Sequence, residues 1–530
     1  MLHRFKNLRT KQNFLCSQIQ SQKKLLRYFS TSFGIDPTIY SVITGFGKSA
    51  VAIIRVSGRD TYKCLNLLEE SSERGQKYLE SLTKDETLKK YRVKPRYSHY
   101  RSFYDIFSRN WPKQMDSGLL IYNVAPHSFT GEDTVEFHLH GSMMVKQLML
   151  RSLSKFPNYR QAEPGEFTKR AMFNGKLDAL KAEAINDLIN AESENQHYQS
   201  IKQLGGRHSL IFEEIREEII KIMAHAEAFI EFEEDEDDVE QEVMAQVSQR
   251  VKKLLLTLKG YLDDNGIGEI IREGVKIAIA GPPNAGKSSL INELAKSDVA
   301  IVSDIPGTTR DPISVNLNIS LNSKENLSHY GSQMVTVTDT AGLRSTENPI
   351  EKMGISKTLS LVSSSQCIYL LSMENLELVG SNFKVRDLEV EDQLLQVLQK
   401  NKEAVLVVNK VDLIPEVIDV SQVLLRTGVR LTPILCSVTA GTNLKDVHDA
   451  IKNLVSKSLE TSHQDVIITR ERHRVLLEEA VMFLERFLKQ PQIDMVEELR
   501  IAMYSISKIL GHIDIEEIYD TLFHDFCIGK

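Results

Sequence analysis

The amino-acid sequence predicts a multidomain α+β and α/β chain in which an α/β unit interrupts a block of helices. Three observations carry that prediction. Between Lys276 and about Ser458, apolar strands alternate with helical stretches, the pattern of a mostly parallel sheet. On either side, from Gly175 and again after Ser458, apolar residues recur three and four apart, as on one face of a helix. Ahead of both, from Asp36, short β-rich runs punctuated by Gly and Pro read as a separate α+β domain. The 530 residues suffice for about three or four domains of ~150 residues.

The first 35 residues hold no Asp or Glu and seven cations, Arg4, Lys6, Arg9, Lys11, Lys23, Lys24 and Arg27, among scattered serines. That is the composition of a mitochondrial transit peptide, with Arg27-Tyr28-Phe29-Ser30 as a cleavage-like stretch, and it points to the matrix. A basic arm that binds RNA is the alternative. Setting those seven cations aside moves the net charge from −7 to −14, so the remainder is acidic. A generally basic nucleic-acid coat is excluded, and any RNA contact must use a local patch. Apolar residues at 42% and charged residues at 26% exclude wholesale disorder. No uninterrupted apolar run reaches ~18 residues, so no membrane span is expected. None of Cys16, Cys64, Cys367, Cys436 and Cys527 sits in a C-x-x-C pair, which argues against a cysteine zinc site or a disulfide framework.

Residues 36–174 form the first domain, with a strand at Val51 to Val56. Arg92 to Arg101, with Tyr91, Tyr97 and Tyr100 interleaved, fits either a β-strand or an RNA patch, and the strand is the simpler reading. His138 and His140 share one strand face, but with no further ligand cluster they read as packing or RNA contacts rather than a metal pair. In residues 175–271, Leu177, Leu180, Ala184, Ile185, Leu188 and Ile189 mark one helical stripe, and Ile215, Ile219, Ile222 and Met223 another. The mostly acidic run Glu231 to Asp238 reads as a solvated helix end or loop. The α/β domain takes residues 272–458, with strands at Val275 to Ala280, Met334 to Thr338, Ile368 to Leu371, Val405 to Val408 and Pro433 to Cys436. In residues 459–530, Leu477, Val481, Leu484, Phe487 and Leu488 form one stripe, and Leu499, Ala502, Met503, Ile506 and Ile509 another.

The chemistry is concentrated in the α/β domain. Gly281-Pro-Pro-Asn-Ala-Gly286-Lys287-Ser288 follows a strand and opens a helix at Ser289, the context a phosphate-binding loop needs. Its glycines let backbone N–H groups from Asn284, Ala285 and Gly286 onward curl around phosphate oxygens. Lys287 brings a cation to the β- and γ-phosphates, and the Ser288 hydroxyl suits Mg²⁺. Gly307, Thr308 and Thr309 follow where a switch loop closes on γ-phosphate and metal. Asp339-Thr340-Ala341-Gly342 ends another strand, where Asp339 holds the Mg²⁺ shell and Gly342 senses the γ-phosphate. Asn409-Lys410-Val411-Asp412 ends a third. There the Asp412 carboxylate accepts from both N1–H and N2–H of guanine, a pair adenine does not offer. Ser437 follows the next strand, in a base-contacting loop. These motifs in this order predict a Ras-like P-loop GTPase domain. Leu343 stands where Ras-like enzymes carry a water-orienting Gln, so hydrolysis must use another group. Asn284 resembles the asparagine of a subset of GTPases that bind K⁺, an ion that acts there like an arginine finger.

The flanks are more specific. Asp36 to Gly58, Ser128 to Asp133, Val135 to Gly141, Ala162 to Ala171 and Asn174 to Asp178 resemble the MnmE (TrmE) family. So do Gly281 to Ser289, Ile305 to Arg310, Asp339 to Arg344 and Cys527 to Lys530. The resemblance runs from Asp36 to Lys530. It implies a homodimer whose N-terminal domain dimerises and binds a tetrahydrofolate one-carbon donor. It implies a discontinuous helical bundle carrying the inserted G domain, and an FAD-containing partner, MnmG. It implies GTP hydrolysis, stimulated by K⁺ and accompanied by G-domain pairing, in a reaction that modifies C5 of the wobble uridine of certain mitochondrial tRNAs. Carried over by position, Asn284, Ser303, Ile305 and Thr308 would lie at the K⁺ site, in a loop with Asp304 and Pro306. Ser288 and Thr309 would bind Mg²⁺, and Glu351 would position the catalytic water. Arg55, Glu136, Lys176 and Lys530 would contact the folate, and Cys527 would lie near the modification chemistry. Two departures stand out: the family's glycine-rich early loop reads Thr44-Gly-Phe-Gly-Lys-Ser49, and Asn322 to Gln333 lengthens a G-domain hairpin.

Two other readings compete. A GTPase switch in mitochondrial ribosome assembly shares the G motifs, but usually adds a GXXG-bearing KH-like domain that is not visible after this one. A dimeric scaffold whose GTPase only gates assembly is the third. Which C5 group is installed, on which tRNAs, is not written in the residues.

Overall fold

The computed structural model describes residues 37–45, 47–68, 83–107, 114–231, 237–296, 300–301, 314–321, 331–340, 362, 365–379, 382–401, 404–413, 422–459, 466–489 and 495–513. They form two compact units, 37–178 and 179–513.

The first unit is built on strands β1 (Thr38–Val42), β2 (Ser49–Ser57), β3 (Ser98–Tyr104), β4 (Gln114–Asn123), β5 (Thr134–Gly141) and β6 (Tyr159–Gln161). They lie in the order β3-β4-β5-β2-β1-β6, antiparallel except for the β1–β6 pair. Its helices are α1 (Lys84–Lys90), α2 (Met143–Leu153) and α3 (Glu166–Phe173). Alternation along the strands puts Ile54, Val56, Phe103, Leu120, Tyr122, Val135 and Phe137 into one core with Met149 and Leu153 of α2. Phe103 and Phe137 meet edge-on there at 5.3 Å. The opposite face carries Arg55, Glu136 and His138 and is capped near β1 by Phe167 of α3, which packs on Ile39 and Ala162.

The second unit contains α4 (Ala179–Ile189), α5 (Glu194–Leu204), α6 (Arg207–Glu231), α7 (Asp237–Leu262), α8 (Ile267–Glu273), α9 (Lys287–Ala295), α10 (Leu388–Lys400), α11 (Leu444–Leu459), α12 (Glu471–Lys489) and α13 (Met495–Leu510). Its strands are β7 (Val275–Ala280), β8 (Ala300–Ile301), β9 (Ser314–Ser320), β10 (Ser332–Asp339), β11 (Gln366–Ser372), β12 (Leu376–Val379), β13 (Asn382–Val385), β14 (Val405–Asn409), β15 (Val423–Leu424), β16 (Arg430–Leu431) and β17 (Ile434–Leu435). One helical core joins Leu180, Phe212, Ile219, Val251 and Leu258 to Leu477, Leu484, Leu499 and Ile506. The bundle is therefore discontinuous, and the α/β domain is inserted in it. That domain is a seven-stranded sheet, β17-β14-β11-β7-β10-β9-β8, parallel except at β9 and β8. Apolar cores cover both of its faces, as a parallel sheet requires.

The structure departs from the sequence reading at several points. Leu177 precedes α4, and Ile189 at its end is exposed, so the apolar stripe is shorter than the spacing implies. Ile267 and Ile271 of α8 pack into the α/β core, because their one-turn spacing faces the sheet rather than the bundle. Ser332 and Gln333 are not hairpin insertion but the start of β10, and Gln333 is wholly buried. Residues 322–330, the leader and residues 232–236 of the acidic run lie outside the described residues. The small sheet β12-β13-β15-β16 was not foreseen.

A polar bracket grips the chain where it leaves and rejoins the bundle. Asp187 of α4 pairs with Arg272 (3.2 Å), just before β7, and with Arg470 (2.7 Å), just before α12. On α5, Gln196 Nε2 donates to the Arg272 carbonyl and Gln199 Nε2 to the Val466 carbonyl. The two crossings abut: a Cβ on Gly268 would lie 1.8 Å from the Ile468 carbonyl oxygen, so only glycine fits there. Asn195 Nδ2 donates to Gln333 Oε1, whose own amide donates to the Ile270 and Ile271 carbonyls. Beside the bracket, buried Glu183 meets Arg472 at 2.8 Å and His473 at 2.9 Å. Burial disfavours the Glu183 charge, yet the pull of His473, Arg472 and Arg470 outweighs it and holds the carboxyl far below the usual range. Burial also lowers His473, against the raising pull of Glu183.

Glu183→Gln removes the carboxylate that Arg472 and His473 share and should cost about 3–5 kcal/mol in urea or thermal unfolding of the full chain near pH 7. Because the Glu183 carboxyl is lowered, its contribution is complete above about pH 4.3 and fades as pH falls toward the folded value. The gap between wild type and variant should therefore narrow in acid. A gap independent of pH would show that the Glu183 charge is not what stabilises the bracket.

Candidate functional site

Strand β7 is buried except at Lys276 and delivers the chain at its carboxyl end to Gly281, where a sheet of this kind places ligands. The loop then turns through Asn284, which is left-handed at φ 63°, and Gly286 at φ 97° before α9 begins. Asparagine tolerates that region better than most side chains. Gly286 has a second reason to lack a side chain: a Cβ there would lie 2.3 Å from Asn409 Nδ2. Lys287 is buried, and its Nζ donates back to the Gly281 (3.1 Å) and Pro282 (2.9 Å) carbonyls. Burial pulls the Lys287 ammonium below its ordinary value while Asp339 pulls it up.

Ser288 Oγ donates to Asp339 Oδ2 at 2.6 Å, which brings the hydroxyl and the carboxylate of two separate motifs together. The other oxygen, Asp339 Oδ1, is buried with no hydrogen-bond partner among the described residues. A buried carboxylate oxygen left without a donor, beside a hydroxyl, is the ligand set that a hard divalent cation takes. Thr340 turns away to donate to the Ile279 carbonyl at 2.8 Å and locks the end of β10 to β7. Ser289 follows on the first turn of α9.

The side that the sequence reading assigns to the base is assembled from β14 and the turn after β17. Asn409 Nδ2 donates to the Ala285 carbonyl at 3.0 Å, and its Oδ1 accepts from the Val438 N–H at 3.1 Å. Ser437 Oγ donates to Asp412 Oδ1 and accepts from the Ala440 N–H. A backbone bridge between Ser437 and Thr442 closes that turn. Lys410 sits at φ 64°, and Glu374 holds its Nζ at 3.1 Å. Glu374 is a residue that motif reading missed: it lies just past β11, in no phosphate or base motif.

In the first unit, Arg55 and Glu136 face each other across β2 and β5, with Nε to Oε1 at 2.9 Å. The Arg55 guanidinium also lies over Phe129 (4.9 Å) and Phe167 (5.6 Å). His138 Nε2 stands 3.7 Å from Glu136, whereas the His140 ring pairs with Asp116, so these two histidines keep separate carboxylates. Lys176 is not drawn to that pair; its Nζ donates to the Pro126 carbonyl at 2.9 Å. In the altered early loop, Lys146 Nζ donates to the Gly47 carbonyl at 2.8 Å. Ser303, Asp304, Ile305, Pro306, Gly307, Thr308, Thr309, Ala341, Gly342, Glu351, Cys527 and Lys530 lie outside the described residues.

Because the Gly286 Cβ would displace Asn409, Gly286→Ala should abolish measurable guanine-nucleotide binding in equilibrium dialysis. The far-ultraviolet circular dichroism should stay that of wild type. Retained affinity would mean that the contact between the two loops is not needed.

Comparison with known proteins bears on both units. The MnmE helical domain matches residues 180–527, and the GTP-binding protein TrmE N-terminus matches residues 38–176. A tRNA modification GTPase MnmE of Pelagibacter ubique is 38% identical over 497 residues, covering 93% of this chain and 100% of its own. Proteins of the same name from Rickettsia bellii and Wolbachia pipientis are 35% and 34% identical, again over 93% of this chain. With the phosphate loop, the metal-type carboxylate and the base turn assembled in one inserted domain, the chain belongs to the MnmE (TrmE) family of tRNA modification GTPases.

Proposed function

We propose that the chain is a K⁺-stimulated GTPase that works with an FAD-containing MnmG-like partner on C5 of the wobble uridine of certain mitochondrial tRNAs. A tetrahydrofolate derivative is the one-carbon donor, the active form is a homodimer, and hydrolysis is coupled to pairing of the G domains. The observation that carries the GTPase part is the three-way junction of Asn409, Ala285 and Val438, which sets phosphate loop and base turn in one geometry. Family membership over both units supports the tRNA part, and the acid-free, basic leader supports the mitochondrial setting.

Phosphoryl transfer to water is mostly positioning and charge stabilisation. Lys287, once released from the Gly281 and Pro282 carbonyls, brings its ammonium to the β- and γ-phosphates. Asp412, oriented by Ser437, accepts from the guanine edge, and Lys410, oriented by Glu374, lies along the base. Ser288, Thr309 and Asp339 would hold Mg²⁺, which supplies positive charge to the same phosphates. Asn284, with Ser303, Ile305 and Thr308, would hold K⁺, and Glu351 would orient the water that Leu343 cannot. In the first unit, the Arg55–Glu136 pair supports the folate reading. A guanidinium suits the carboxylates of a folate tail and a carboxylate accepts from a pterin N–H. Lys176 and Lys530 would add charge, and Cys527 would serve the modification chemistry.

The deciding experiment is mass spectrometry of wobble nucleosides in mitochondrial tRNA from cells carrying Lys287→Ala. Loss of the C5-substituted uridine is expected, and the missing mass identifies the group. Unchanged nucleosides with failed ribosomal particles would hand the role to an assembly switch. In vitro, Glu351→Ala should lower kcat about a hundredfold without weakening GTP binding, and replacing K⁺ by Na⁺ should slow the wild type roughly tenfold or more. Equal rates in the two salts would remove K⁺ from the mechanism.

A further inference from the structure

One feature of the first unit is not used by the nucleotide chemistry. From Lys89 to Arg101 the chain carries six Lys or Arg residues and no Asp or Glu, in a protein whose net charge is −7. The structure folds this stretch into the end of α1, a compact turn and the start of β3, the outer strand of its sheet among the described residues. The turn is rigidly built. Arg92 and Arg96 take left-handed φ angles of 51° and 65°. The Arg96 N–H donates to the Tyr122 carbonyl at 2.8 Å, the Lys94 N–H donates to His99 Nε2 at 3.0 Å, and Val93 is buried as an anchor. Arg92, Lys94 and Arg96 are exposed, and among the described residues none of them has a carboxylate at ion-pair distance.

The tyrosines decide what kind of surface this is. A strand tyrosine retained for packing goes inward, as Tyr122 does on β4, where its hydroxyl donates to Asp133. Tyr97 and Tyr100 do the opposite, at 52% and 68% exposure. Lys94 Nζ lies over the Tyr97 ring at 4.0 Å, so a cation and an aromatic face are offered together. Tyr100 pairs across the strands with Leu119, which is also exposed, and Leu119 pairs with His138 on β5. These three share the open face of the sheet with Arg55 and Glu136. Neighbouring strands are about 4.8 Å apart, so Tyr100 on β3 stands two strand spacings, roughly 10 Å, from β5.

We infer that the 89–101 turn and the Tyr100 end of the open sheet face form an RNA-binding surface that takes a single-stranded stretch of the tRNA substrate. The inference rests on the tRNA reading given above and adds where the RNA lies. Arg92, Lys94 and Arg96 contact phosphates, and unstacked bases lie on Tyr97 and Tyr100. Rings of this kind suit single strands, because the grooves of duplex RNA give them no base face to stack on. The same sheet face then presents a base to the side that carries the Arg55–Glu136 pair.

The test is fluorescence anisotropy of a labelled anticodon stem-loop RNA with the full chain and its variants. Lys94→Gln/Arg96→Gln should weaken binding roughly tenfold at ~0.15 M salt and lower the salt slope by about 1.4, the loss of two single-strand phosphate contacts. Tyr100→Ala should weaken it roughly fivefold to a hundredfold, the range of base stacking on a ring, and Tyr100→Phe should restore it. GTP hydrolysis without RNA should be unchanged in all three. Equal affinity and slope in wild type and variants overturns the inference. So does light scattering that shows the variants losing a dimer while RNA affinity holds, since a second copy then covers the face. Polyglutamate competing as well as RNA at equal charge would assign the surface to an acidic protein, and would overturn it too. The two readings fail separately. If Lys287→Ala abolishes the modified nucleoside while the wild-type chain binds no stem-loop, only the surface falls. If the nucleoside survives Lys287→Ala while the variants lose RNA as stated, the surface stands and the modification role falls.

Discussion

The side-chain amide of Asn409 has to serve two loops at once. Its nitrogen holds the phosphate loop through the Ala285 carbonyl, and its oxygen holds the base turn through the Val438 N–H. An amide is suited to this because it carries a donor and an acceptor on one rigid plane. Gly286 lacks a side chain because the donor passes where a Cβ would sit. The spacing between the phosphate-loop motif and the turn at Val438 is thus set by contacts within the protein. Ser437 holds Asp412 and Glu374 holds Lys410 around that junction, which limits the freedom of both side chains.

Among the described residues, polar groups link the bundle to the inserted domain. The charges are concentrated on α4 and at the two crossings, and the amides on α5 and β10. A buried cluster such as Glu183 with Arg472 and His473 is expensive to desolvate, and each partner is costly to lose. Its geometry also admits few alternatives, because every carboxylate oxygen that moves leaves a cation behind. Apolar packing of the same volume would tolerate sliding.

Much of this was legible in the sequence, for local reasons. The phosphate loop, the strand before it and the guanine motif are short contiguous signals, and the stripes through Ile215, Ile219 and Ile222 or Leu477, Val481 and Leu484 repeat at helical spacing. The structure puts all of these in the expected elements and cores. What escaped was non-local. The small sheet pairs Phe383 with Val423 through strands of two to four residues, too short to show a period. Gln333 looks like loop polarity until α5 and α8 surround its amide. Asp187 meets Arg470 from 283 residues away, a distance over which no pattern in the chain announces a partner. The tyrosines near Arg96 fit a strand, and Tyr100 does lie in β3 with Tyr97 just before it, but composition does not say which way they face.

The bracket around the two crossings has a mechanical meaning. A domain joined to its host by one strand can swivel about it. Here the outgoing and returning segments touch at Gly268 and are latched to the same two helices, with one oxygen of Asp187 shared between them. Twisting one segment without the other would tear that shared contact. The inserted domain is left with rocking about the axis through both crossings, like a door on two pins rather than a flag on a pole. A twist applied at either crossing therefore loads the Asp187 contact on α4 and the Gln196 and Gln199 contacts on α5 together.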